Sequence, residues 1–332
     1  MKRSISERRR KFLALIGAFP ISLVSRHSSA QPKQLKLACY YLPGWLQSDG
    51  AQLFADKIAQ ASAGAIEVAV DAGHFLISLD LVAKETAAFA HFCAPCVAKS
   101  EPLLNLSSLP MLATTFDETA TLNRVARPYY SAALARRGQV LLATQPWLPG
   151  ALWSNVPIRS VADLKGAPLA AVASSGPAFH AESGWGRPFA TLGARSVTFS
   201  DAEVIIAGSH PGHMLKLTRE FAYFTEIFFA THLTFLAARQ DVFDSLSETE
   251  RQVLVREGRE TELQLWKLMR ELLPRRQQEI AGQGVRVSAQ PPADVIAALR
   301  KAAESDIQSW AQSVGADGAA ILTEYRRAIG RE

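Results

Sequence analysis

"LKLACYYLPGWLQSDGAQLFADKIAQASAGAIEVAVDAG", Leu35 to Gly73, decides the fold class. The opening LKLACYYLP is a strand that Pro43 stops, since proline cannot donate to a ladder. Gly50 to Ser62 then spaces Leu53, Phe54, Ile58 and Ala61 on one helical face, and Gly64 ends that helix. AIEVAVDAG alternates, with Ile66, Val68 and Val70 on one side. A strand, a helix and a strand within about 40 residues form a βαβ unit, and such a unit implies a parallel sheet.

The same grammar continues outward. A helix is expected over Ile77 to Thr86, a strand over Ala87 to Ala94, a helix over Asp117 to Arg137 with Asp117 as its cap, and a strand over Gln139 to Thr144. "SVADLKGAPLAAVASSG", Ser160 to Gly176, is a loop feeding a buried strand near Leu169, with Gly166 at the turn. A short helix from Pro188 to Gly193, a strand over Ser196 to Phe199 and a helix from Asp201 towards Ala207 follow. Phe221 to Ala238 is apolar, rich in β-formers and too long for one strand, so it divides into two with a break near Glu226 to Phe229. Ser247 and Glu250 form a capping box for a helix reaching about Ala281, with a kink expected at Pro274. Gly282 and Gly284 close it. A short strand over Val285 to Val287 and helices over Ala293 to Val314 and Ala319 to Gly330 complete the chain. A long helix arriving after two strand-helix regions, with sheet segments on both sides, implies two lobes, more than one crossing between them, and a cleft at the boundary.

The 332 residues and 48% hydrophobic content suffice for two cores. The formal charge of +5 would suggest a nucleic acid, but residues 1 to 30 hold seven Lys or Arg and one acid. Removing these from 36 and 31 leaves 29 basic and 30 acidic residues, so no nucleic-acid partner is expected. That leader, with its basic start, apolar Phe12 to Val24 run, and Ser28 and Ala30 before Gln31, has the layout of a signal peptide cleaved near Ala30. Its RRKFL (Arg9 to Leu13) resembles a twin-arginine export core. No later run is long and apolar enough to span a bilayer, so a soluble periplasmic protein is expected. Cys93 and Cys96 have redox-motif spacing, and an oxidising compartment permits their pairing.

In order along the chain, "FADKIAQASAGAIEVAV", "LPML" (Leu109 to Leu112), "SVADLKGAPL", "LGARSV" (Leu192 to Val197), "AEVIIAG" (Ala202 to Gly208) and "VFDSLSETERQVL" resemble the solute-binding proteins of tripartite ATP-independent periplasmic (TRAP) transporters, the DctP-like family. The resemblance implies an α/β periplasmic binding protein fold: two lobes of mixed sheet flanked by helices, joined by hinge strands and a long bridging helix. The expected division is 31–146 plus 236–281 for lobe I and 147–235 plus 282–332 for lobe II. The implied function is extracytoplasmic capture of a small organic acid and its delivery to TRAP membrane permease subunits, with no catalysis, no cofactor and a monomeric chain. The absence of G-x-S-x-G, a P-loop, H-E-x-x-H and a dinucleotide fingerprint agrees.

One departure stands out. The family usually carries a carboxylate-binding arginine four residues after the glycine of DLKG, and here that position is Ala170. Three arrangements answer the missing cation: a neutral or less acidic ligand; Arg159, Arg187 or Arg195 reaching the site; or helix N-termini and the Ser174-Ser175-Gly176 amides holding the anion. Residues expected at the cleft follow the strand tips: Tyr40, Tyr41, Trp45, Gly73, His74, Trp147, Trp153, Ser174, Ser175, Trp185, and His210 and His213 of GSHPGH. This aromatic set favours an aromatic or bulky solute held by stacking. No metal is expected, because the two histidines lack a third ligand at suitable spacing. The alternatives are an exported thiol-redox protein or enzyme using Cys93 and Cys96, and a ligand-sensing subunit on the same fold.

Overall fold

A computed structural model describes residues 31–73, 87–171 and 186–331. The leader, the helix expected over 77–86, and the candidates His74, Ser174, Ser175 and Trp185 lie outside the described residues. Strand β1 (Lys33–Cys39) leads into helix α1 (Leu46–Ala61) and strand β2 (Ile66–Ala72), and β1 and β2 pair in parallel. This is the predicted βαβ unit, with α1 beginning earlier than Gly50 because Trp45 already adopts the extended cap conformation. Strand β3 (Phe89–Cys93), β4 (Gln139–Pro146) and β10 (Leu233–Arg239) complete a first sheet in the order β2-β1-β3-β10-β4.

The second sheet has the order β11-β9-β5-β8-β6-β7. Its members are β5 (Gly150–Ser154), β6 (Pro168–Ala171), β7 (Arg195–Ser196), β8 (Val204–Gly208), β9 (Tyr223–Thr225) and β11 (Arg286–Ser288). Two of these differ from expectation. The segment from Asp201 to Ala207 is not a helix: Val204, Ile205 and Ile206 form strand β8, buried between β5 and β6, where β-branched side chains pack on both faces. Strand β5 was not foreseen, since Gly150 and Pro149 mask a short run that is buried throughout.

Each sheet contains one strand running against the rest, β10 in the first and β5 in the second. These are the two strands that begin just after a crossing between sheets. The crossings are zipped together: Trp147 N donates to His232 O at 2.9 Å, Gly150 N to Ala230 O at 3.0 Å, and Phe229 N to Gly150 O at 2.9 Å. The break predicted inside 221–238 is this second crossing.

Helix α2 (Phe116–Ala135) is capped by Thr115, whose hydroxyl accepts from Glu118 N at 3.0 Å, and not by Asp117. Asp117 sits in the first turn and pairs with Arg270 at 2.7 Å. After the short helices α3 (Gly186–Thr191), α4 (Ser209–Met214) and α5 (Gln240–Ser245), the long helix α6 (Glu248–Gly282) opens with the predicted Ser247/Glu250 box. It packs on α1 and β4 at one end and on α4 and β11 at the other, so it bridges both sheets. Gly258 permits this approach, because a Cβ there would lie 2.9 Å from the Leu142 carbonyl oxygen. Helix α7 (Ala293–Val314) starts in the second sheet's core with Val295, Leu299 and Ala303 and ends in the first lobe's core with Ile307 and Trp310. Helix α8 (Ala316–Ala328) packs on α7 and on α2 there. From 282 onward the chain thus begins on the second sheet with β11 and the first half of α7 and ends on the first lobe's core.

Candidate functional site

The chain tips that meet at the crossings define the site. Tyr40 and Tyr41 follow β1, but neither opens outward: both are buried, and their rings stand edge to face at 5.2 Å. Tyr41 shares a 2.6 Å hydrogen bond with Thr234 Oγ1, and Trp147 Nε1 donates to the same oxygen at 2.9 Å. Trp147 lies 5.5 Å from Tyr41 and 5.8 Å from His232, ring to ring. Burial pushes the Tyr41 hydroxyl well above its ordinary range. These groups form an internally bonded platform beneath the crossings.

The histidines of this platform are neutral. Burial lowers His91 to about 3, where it faces Cys39 Sγ at 3.5 Å, and lowers His232 to about 3, where it bonds Ser108 Oγ at 2.7 Å. The same burial raises Cys39 to about 12. Glu226, on the second crossing, accepts from Phe228 N at 3.0 Å and from Gln277 Nε2 of α6 at 3.4 Å, while its own N donates to Ser288 O. Burial raises its carboxyl to about 7.

Above the platform, two segments meet across the sheets. Trp45, half-buried at the cap of α1, has its indole 6.1 Å from the His210 ring, edge to face. His210 is the second residue of α4, which leaves β8 at Gly208. Gln47 Oε1 on the first side and Ser209 Oγ on the second belong to residues 1% exposed, and neither atom has a hydrogen-bond partner. Gln145 supports the start of α1, donating Nε2 to Leu46 O at 3.1 Å. His213 belongs to the same short helix, and its side chain lies outside the description.

Ala170 is buried in β6, opposite Ile205 of β8, which in turn opposes Trp153 of β5. Residues in register share a sheet face, so the three form one row. Trp153 is fully buried, and Gly212 of α4 rests on its ring so closely that a Cβ would stand 2.2 Å from Cζ2. Sequence reasoning placed Trp153 beyond a strand and could not find this contact; a glycine after His-Pro was the available signal. None of the three alternative arginines is buried. Arg187 is 72% exposed at its side chain and pairs with Asp306 at 3.3 Å; Arg195 donates Nε to Gly166 O, at the end of β6 opposite Ala171; Arg159 is exposed.

Cys93 and Cys96 are joined in a disulfide, with Cys93 closing β3 and Cys96 in the turn Pro95–Val97. The pair stands at a strand end, as in redox domains, with Cys93 fully buried and Cys96 half-buried. Among the described residues no three His, Cys, Asp or Glu side chains converge as a metal site, and no helix is long and apolar enough to cross a membrane.

No family model matches the chain, and no curated protein matches it in sequence. Solved structures match its fold over nearly their whole length. An extracytoplasmic solute receptor of Bordetella pertussis that binds pyroglutamic acid superimposes with a TM-score of 0.76 at 22% identity, covering 89% of this chain and 99% of that one. A TRAP periplasmic solute-binding protein of Ralstonia eutropha with bound (S)-2-acetolactate gives 0.73 at 20% identity, covering 90% and 99%. One from Chromohalobacter salexigens with bound D-glucuronate gives 0.72 at 15% identity, covering 89% and 99%. The chain has the two-lobed periplasmic binding protein fold of TRAP receptors.

Proposed function

We propose that this chain is an extracytoplasmic TRAP-type solute receptor, which captures a small organic acid or a bulky aromatic solute between its lobes and hands it to a membrane permease. The observation that supports this most is the pair of zipped crossings joined to α6, which leaves two sheets free to rotate as bodies about a short hinge, over a fold shared end to end with such receptors. Hinge closure binds a ligand through contacts made only when both halves reach it. In this reading lobe I is 31–146 with 236–281 and lobe II is 147–235 with 282–332, whose last helix reaches back to lobe I. Trp45 and His210 face the solute from opposite lobes, Tyr40, Tyr41 and Trp147 support them, and Ala170 marks the missing guanidinium. His74, Ser174, Ser175, Trp185 and His213 complete the binding set. Residues 1–30 export the chain to the periplasm and are removed near Ala30. The receptor acts as a monomer without catalysis or cofactor.

Native mass spectrometry of protein taken from the periplasm tests this. A bound small molecule, released on unfolding, is the expected result. A thermal-shift panel begins with pyroglutamate, acetolactate and glucuronate, the ligands of the structural relatives. Protein that carries no solute and gains no stability from any panel member, its close amides and its esters would overturn the reading.

A further inference from the structure

Trp45 and His210 meet across the sheets, and the residues beside them in the chain carry buried hydrogen-bonding groups, with no buried positive charge among the described residues. On the α1 side stand Trp45 and, two residues on, the buried Gln47 with its unbonded Oε1; on the α4 side stand His210 and, one residue before, the buried Ser209 with its unbonded hydroxyl. Each lobe thus offers one aromatic ring and one unsatisfied neutral polar atom. A buried polar atom without a partner costs free energy, and a ligand that bonds it recovers that cost on binding. The charged residue in the first turn of α1 is Asp49, an acid. Among the described residues no Lys or Arg is buried anywhere, and Arg159, Arg187 and Arg195 are exposed or bonded elsewhere. The platform histidines His91 and His232 are held neutral by burial. In the segments 74–86 and 172–185 the sequence contains one cation, Lys84, against Asp80, Glu85 and Glu182.

A carboxylate enclosed here would lose its hydration with no guanidinium or ammonium to replace it. We infer that, given the receptor reading above, the junction of Trp45, Gln47, Ser209 and His210 selects a solute without net negative charge, a compact ring bearing amide or hydroxyl groups. The ring lies against the Trp45 indole. An amide or hydroxyl of the solute donates to Gln47 Oε1 and bonds the Ser209 hydroxyl, which can serve as donor or acceptor.

Calorimetry on the mature chain at neutral pH, using matched pairs, tests this: pyroglutamate against its carboxamide, benzoate against benzamide, and glucuronate against glucuronamide. The neutral partner of at least one pair is expected to bind at least about tenfold tighter than its acid, a difference of about 1.4 kcal/mol. Ser209→Ala should erase most of that preference while leaving the unfolding midpoint nearly unchanged, because its hydroxyl has no partner to lose. Tighter binding of the acids overturns the inference and leaves the receptor reading standing. An acid preference that grows as pH falls and vanishes in His210→Asn also overturns it, and assigns the charge to His210. Binding of neither series overturns the inferred class. A solute carried by the periplasmic protein in native mass spectrometry then keeps the receptor reading alive, and its absence removes that as well.

Discussion

Trp147, just past the end of β4, and Trp153, inside β5, stand close in sequence, and both are buried in the cores of opposite lobes, yet they are held in different ways. Trp147 spends its N–H on Thr234 Oγ1, which also bonds Tyr41, so the first sheet presents a closed polar network to the junction. Trp153 Nε1 has no partner, and its ring is fixed by shape alone, beneath Gly212 and against Phe224 at 4.8 Å. In the first lobe Tyr41, Trp147 and Thr234 thus satisfy one another, with Gln47 Oε1 left unbonded beside them in the chain. The second holds Trp153 by volume, and its Trp153 Nε1 and Ser209 Oγ have no partner. A binding site needs both kinds of surface, one to stay fixed and one with hydrogen bonds still to give.

The sharpest way to break this comparison is at Gly212. A larger side chain there meets an indole that has no room to withdraw, so Gly212→Val should destabilise the protein by about 3 kcal/mol in urea unfolding. Combining it with Trp153→Ala should cost less than the sum of the two changes. Strict additivity would show that the contact does not constrain the second lobe.

The pH profile sharpens the contrast between platform and crossing. His91 and His232 have folded-state values near 3 against an ordinary 6.5, so the unfolded chain takes up more protons as pH falls between these values. The stability they contribute is present above about 6.5 and lost towards 3, at about 1.4 kcal/mol per pH unit for each. Glu226 runs the other way. Its folded-state value near 7 exceeds the ordinary 4.5, so its contribution is full below about 4.5 and is lost as pH rises through 7, up to about 3 kcal/mol. Glu226→Gln should flatten the upper limb of a melting-temperature profile and leave the acid limb intact. An unchanged upper limb would remove Glu226 as its cause.

The smallest expected effect separates the two indoles directly. Trp147→Phe strands Thr234 with one bond fewer, whereas Trp153→Phe removes a donor that bonds nothing. With the loss of ring volume common to both, Trp147→Phe should cost about 1 kcal/mol more in chemical denaturation. Equal costs would mean that the first platform is held by packing alone.

Much of the architecture was legible in the chain. The βαβ unit at Leu35 to Gly73, the capping box at Ser247 and Glu250, and the break within 221–238 all rest on local periodicity or local hydrogen bonding, and the structure repeats them. The errors arose where burial overrode local pattern. Val204 to Gly208 lies between two neighbouring strands, and a short run flanked by Asp201 carries no period long enough to reveal it. Tyr41 and Trp147 do follow β1 and β4, but their inward turn was not legible, because both bond Thr234, a residue distant from both in the chain; Trp153 lies inside β5 and not beyond a strand end.

The sequence by itself determined two sheets, a bridging helix and the loss of a cation at Ala170, because alternation, caps and the identity of one residue are properties of neighbours along the chain. Only the tertiary structure decided that Trp45 meets His210, that Gly212 seats Trp153, and that the final helices return to the first lobe. Those contacts join residues far apart in the chain, within one lobe for Gly212 and Trp153 and across the sheets for Trp45 and His210, and their energies exist only once the elements are packed together.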